Sequence, residues 1–84
     1  METLIAKETY NFIGPCVNMA SDILRLPVRN IWIDYDEEAD VLYMSFRRPQ
    51  RATETLELEE DMLLRKDGNR IVGLTILNAS IRNT

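Results

Sequence analysis

Five acidic side chains, Asp34, Asp36, Glu37, Glu38 and Asp40, fall within one short stretch, the densest run of groups that could ligate a metal or move a proton. Hard cations such as calcium take about six to eight oxygens, and alternating acids open a helix-loop-helix calcium loop. The match ends there. Ala39 stands where that loop turns on glycine, Ser45 stands where it closes with a bidentate glutamate, and the flanking residues read as strands. Turn chemistry accounts for the same residues: Asp36 and Asp40 hydrogen-bond to the local backbone, and Glu37 and Glu38 are solvated at the tip. Glu57, Glu59, Glu60 and Asp61 read in the same way, as the exposed side of a strand and its turn. No metal site is assigned.

Catalysis finds little support among the remaining groups. Paired carboxylates hydrolyse glycosides only where a cleft desolvates one of them and raises its pKa, and short loops leave little room for a cleft. The chain has no histidine, so Ser21, Ser45, Ser80 and Cys16 lack the usual base. Cys16 lies on an apolar stripe and reads as a packing residue. No catalytic residue and no cofactor is assigned. Arg47, Arg48 and Arg51 surround Pro49-Gln50 in the longest loop, the only local excess of positive charge. Such a loop can hold a phosphate or an acidic partner. Pairing of these arginines with Glu54 or Glu57 is the plainer expectation. Asp36, Asp40, Arg47 and Arg48 are thus the candidate polar site.

The elements that must position these groups follow from periodicity. From Ala6, apolar residues Tyr10, Ile13, Val17, Ala20 and Leu24 recur at spacings of three and four, with Phe12, Cys16, Met19 and Ile23 beside them. Pro15 has no N–H to give Asn11 and follows Gly14, so the expectation is two short helices, over residues 2–12 and 15–24, or one kinked helix. Pro27 ends the helical segment. The period then changes to two, with β-branched and aromatic residues over residues 30–35, 41–46, 54–59, 62–66 and 70–77. Residues 36–40 and Asp67-Gly68-Asn69 supply hairpin chemistry. The predicted fold is α+β: a helical extension over residues 1–29 packed on an antiparallel five-stranded β-meander over residues 30–84, together one globular unit.

The strand faces predict an interface. Ile31, Ile33 and Tyr35 oppose Trp32; Leu42, Met44 and Phe46 oppose Val41 and Tyr43; Val72, Leu74 and Ile76 oppose Ile71 and Leu77. Apolar residues on both sides imply that both sides are covered, one by the helical segment and the other by a second helix or a second copy. Trp32, Tyr43, Met44, Phe46, Leu74 and Ile76 are the candidate interface residues. A homo-oligomer, in the first instance a dimer, is expected, and another protein is the alternative partner. Gly73, inside a strand, signals a bulge or a closely packed neighbour.

Charge and targeting narrow the setting. The net charge is −4, and its acidity lies in the second part of the chain. An acidic surface repels phosphate backbones, so nucleic acid is not an expected partner. No stretch approaches the roughly 20 apolar residues of a membrane span, and the start lacks the features of a signal peptide. With a lone cysteine, the expected location is the cytoplasm.

Tyr35-Asp36-Glu37-Glu38-Ala39-Asp40-Val41-Leu42-Tyr43, then Asp67-Gly68, then Ile71-Val72-Gly73-Leu74-Thr75-Ile76-Leu77-Asn78-Ala79-Ser80 resemble a widespread family of small prokaryotic domains of unknown function. That family's pattern is similar to Y-D-x-E-A-D-x-L-Y followed by V-G-x-x-I-L-x-A-S. The resemblance covers residues 31–80 and implies a small β-rich fold without an established activity. Many members carry glutamate at the position of Thr75 and a D-G turn at Glu60-Asp61. The functional expectation is a non-enzymatic protein that acts by self-association or by binding another protein. An antitoxin-like partner of a basic toxin and a small-ligand or metal-binding module on the acidic hairpin are the alternatives.

Overall fold

The period change at Pro27 divides the molecule into one helix and one sheet. The computed structural model describes residues 2–82, with side chains from residue 8 onward; the side chain of Ala6 and residues 1, 83 and 84 lie outside the described residues. Helix α1 spans Glu2–Leu24 and runs through Pro15 without a break. The two-helix expectation is therefore corrected. Pro15 lies on the polar side of α1 with Asn11, Asn18 and Asp22, so the carbonyl it leaves without a donor can bond water. Gly14 has open space around it and adds no crowding at this turn.

Five strands follow: β1 (Trp32–Asp36), β2 (Val41–Ser45), β3 (Glu54–Leu58), β4 (Met62–Asp67) and β5 (Arg70–Leu77). All pair antiparallel in one sheet, in the order β1-β2-β5-β4-β3. The α+β class is as expected, but the sheet is not a simple meander. Strand β5 inserts between β2 and β4, and β3 moves to the edge. The reason is polarity: β5 is the longest and most apolar strand and suits the centre, whereas Glu54, Thr55 and Glu57 suit an edge. Residues 46–53 must then cross the sheet to reach β3.

Register separates two faces. Ile33 pairs with Met44 and Tyr35 with Leu42; Leu42 pairs with Ile76 and Met44 with Leu74. Met62 and Leu64 of β4 continue that row, followed by Leu58 and Leu56 of β3. This is an apolar face across all five strands. The opposite face carries Trp32, Val41, Tyr43, Leu63 and Leu77 together with Asp34, Ser45, Thr75, Arg65, Thr55 and Glu57, so the apolar residues expected on this side are there, interleaved with polar ones. Asp34, Ser45 and Thr75 of β1, β2 and β5, with Arg65 of β4 and Thr55 and Glu57 of β3, make this face mixed where the other is apolar.

Contrary to the expectation of a helical segment packed on the sheet, α1 makes no extensive contact with any strand among the described residues. Tyr10, Phe12, Val17 and Leu24 are 72%, 78%, 63% and 82% exposed. Strand-to-strand contacts dominate the packing, and the molecule measures 50 × 27 × 22 Å. Its radius of gyration is 15.5 Å, whereas a compact chain of this length has about 12 Å. Among the described residues, only Val41 and Val72 are buried apolar side chains.

Candidate functional site

The first hairpin is a clasp between the two ends of the sheet sequence. Asp36 Oδ1 accepts from the Ala39 N–H at 3.2 Å, closing the turn as the sequence suggests. Asp40 does more than cap it. The Tyr35 hydroxyl donates to Asp40 Oδ1 at 2.6 Å, the Ser80 N–H donates to the same oxygen at 3.0 Å, and the Ser80 hydroxyl donates to Oδ2 at 2.8 Å. The Ala79 N–H also donates to the Asp40 carbonyl at 3.0 Å. Asp40 thus ties β1 and the short 3-10 helix Ala79–Ile81 to one point. Its backbone is left-handed, with φ of 56°, which aspartate tolerates better than most residues. The hydroxyls of Tyr35 and then Ser80 hold the Asp40 carboxyl below the ordinary aspartate range. The same bond to Asp40 pushes the Tyr35 phenol above its ordinary value. Among the described residues, no three acidic or cysteine side chains converge as ligands for a cation.

The arginine loop has a different structure from the one expected. Arg47 pairs with Asp67 at 2.9 Å, not with Glu54 or Glu57, and its guanidinium also donates to the Gln50 and Arg51 carbonyls at 2.7 and 3.1 Å. The alternation of β3 turns Glu57 to the face opposite Leu56 and Leu58, while Asp67 ends the adjacent strand beside the loop. Arg48 sits over the Trp32 ring at 6.0 Å. Arg47 thus holds the loop to the end of β4, and Arg48 lies against β1. They do not converge with Asp36 and Asp40.

Gln50 is the residue that sequence reading missed. Its Nε2 donates to Ser45 Oγ at 2.8 Å, and its Oε1 accepts from Arg65 Nε at 3.0 Å. Arg65 Nη1 donates to Thr55 Oγ1 at 2.6 Å. This chain of bonds lies on the mixed face and fastens the crossing loop there. A methyl group on Gly73 would collide with the Gln50 amide and stand 3.0 Å from the Met44 carbonyl. The glycine inside β5 was the available signal, and its neighbour is Gln50. No buried side-chain nitrogen or oxygen among the described residues lacks a partner.

The candidate interface residues divide between the faces. Met44, Leu74 and Ile76 lie on the apolar face, and Phe46 continues the β2 row beyond the strand end. Trp32 and Tyr43 lie on the mixed face. At the Phe46 end, an open depression is lined by Leu26, Pro27 and Val28 from the connection after α1, by Val72, and by Arg29, Arg47 and Arg70. What the arrangement offers is apolar area. The polar groups of the clasp are bonded to one another, and so are those around Gln50.

No helix of the described residues is long and apolar enough to cross a membrane. No curated protein and no solved structure matches the chain. Residues 32–80, more than half of it, match the family described as proteins of unknown function, DUF2283. The match runs from the first residue of β1 to Ser80 in the clasp and leaves out α1. By that match, the chain belongs to the DUF2283 family of proteins of unknown function.

Proposed function

We propose that this protein is non-enzymatic and acts through self-association, with its apolar sheet face and α1 as the interface. One observation carries the reading: the chain exposes 7181 Å², whereas a folded monomer of its mass exposes about 5,200 Å². The excess is about 2,000 Å² per chain. Two such surfaces meeting would bury about 4,000 Å² in total, within the range of obligate homodimers. A stable chain with so few buried apolar side chains needs that burial, because hydrophobic area must offset the entropy of ordering the backbone.

The chemistry of the polar groups supports the same reading. Asp36, Asp40, Arg47 and Arg65 are bonded within the fold, and the chain offers no histidine as a base. Size-exclusion chromatography with light scattering tests the proposal at concentrations on the order of tens of micromolar. A dimer mass is expected. A monomer that keeps a cooperative unfolding transition would overturn it.

A further inference from the structure

We propose that the surface covering the apolar sheet face is α1 of a second copy, so that two chains exchange their helices across a two-fold axis. This rests on the self-association proposed above and specifies its contact. The chain carries two large apolar surfaces without a partner. One is the sheet row of Ile33, Met44, Leu74, Leu64 and Leu56. The other is the helix, where Tyr10, Phe12, Ile13, Val17, Met19 and Leu24 are exposed.

Their dimensions agree. A helix of 23 residues is about 34 Å long, and five strands measure about 24 Å across, so one helix can lie over the full width of one sheet. Exchange is also the arrangement that satisfies both surfaces at once. In an isologous pair each chain gives its helix and receives the other, and the contact closes without exposing a further apolar edge. The area agrees as well, since an excess of about 2,000 Å² per chain is more than a contact between two helices alone would remove.

The connection favours reaching outward. Residues 25–31 join α1 to β1, and Pro27 fixes its own φ and restricts Leu26. Exchange of an identical element across such a connection is a low-cost route to a dimer. The apolar arc of α1 is wide enough for two contacts. The row Tyr10, Ile13, Val17, Leu24 can face the partner's sheet, while Phe12, Cys16, Met19 and Ile23, one step around the helix, face the partner's helix.

Crosslinking between chains tests the contact. In a Cys16→Ser background, Val17→Cys is placed in one population and Leu56→Cys in another, and the two are unfolded together, refolded and treated with a short bismaleimide. Ile33→Cys, at the opposite edge of the sheet, serves as a second acceptor in case Leu56→Cys does not fold. A covalent dimer of one chain of each kind is expected on a denaturing gel. A dimer mass by light scattering without a helix-to-sheet crosslink to either acceptor overturns the exchange and leaves self-association standing. A monomer mass, with crosslinking only when both cysteines occupy one chain, overturns both.

Discussion

The two faces of the sheet obey different rules. On the mixed face a loop is drawn down by Gln50, whose amide meets Ser45 and Arg65 of the same chain in the space left by Gly73, and Arg65 goes on to Thr55. On the other face the side chains are apolar from β1 to β3, and the helix that might have covered them stands away. Directional bonds fix a structure within one chain, because a donor and an acceptor have to be placed to about an ångström. Apolar area has no such demand and can be satisfied by any surface of the right shape. The mixed face is therefore fastened by the chain's own crossing loop, and on the self-association proposed above the apolar face is the part left for a partner.

The largest expected effect comes from moving one step along a single edge strand. Leu56 and Thr55 are neighbours in β3 with side chains on opposite faces. Leu56 is 38% exposed in the isolated chain. If a partner covers it, Leu56→Asp buries an unpaired carboxylate and lowers stability by about 3 kcal/mol or more. Thr55→Asp places its carboxylate beside the Arg65 guanidinium and changes stability by about 0.5 kcal/mol or less. Urea unfolding midpoints at matched protein concentration measure the difference. Equal, small effects at the two positions would erase the distinction between the faces.

A smaller effect tests whether the mixed face is closed as tightly as its bonds imply. Gly73→Ala must displace Gln50 and press on the Met44 carbonyl, at an expected cost of about 1–2 kcal/mol. In a Gln50→Ala background the amide is no longer there to be displaced. The same substitution should then cost about 1 kcal/mol less, read as the coupling term of a double-mutant cycle. Additive effects would show that Gln50 and Gly73 are neighbours without being partners.

The sequence made some of this legible and hid the rest for physical reasons. Strand β5 and the hairpin at Asp36 and Asp40 were readable because alternation and turn chemistry are local. The strand order was not, because short loops suggest sequential pairing, and only the competition for the central position places β5 between β2 and β4. Pro15 misled in the same way: a proline inside a helix costs about 3 kcal/mol by itself, yet here its effect falls on the polar side and the helix continues. Asp40 was legible as a turn residue but not as the anchor of Ser80, since a bond across 40 positions leaves no periodic trace. Gln50 and Arg65 were invisible for the same reason. At Glu60 and Asp61 the left-handed backbone, with φ of 63° and 61°, stands where the family resemblance implied a glycine turn, so the turn geometry is kept without glycine.

The smallest effect at neutral pH concerns the clasp, which reaches the apolar face only through Tyr35, and it becomes visible at the two ends of the pH scale. Asp40 titrates below its unfolded value because its charged form accepts from Tyr35 and Ser80. That contribution is present above the ordinary aspartate pKa and is lost as pH falls through the lower, folded value, in acid below about pH 4. Tyr35 titrates above its unfolded value because its protonated form donates to Asp40. Its contribution is present below about pH 10 and is lost as pH rises through the higher, folded value. Asp40→Asn removes the charge behind both shifts while keeping a residue that tolerates the left-handed backbone. Absorbance titration of the tyrosines should show one phenol moving back toward the ordinary range in the variant. Stability should also become flatter at both pH extremes, with the oligomeric state unchanged. A change in oligomeric state would mean that the clasp, and not only the apolar face, shapes the surface that the second copy meets.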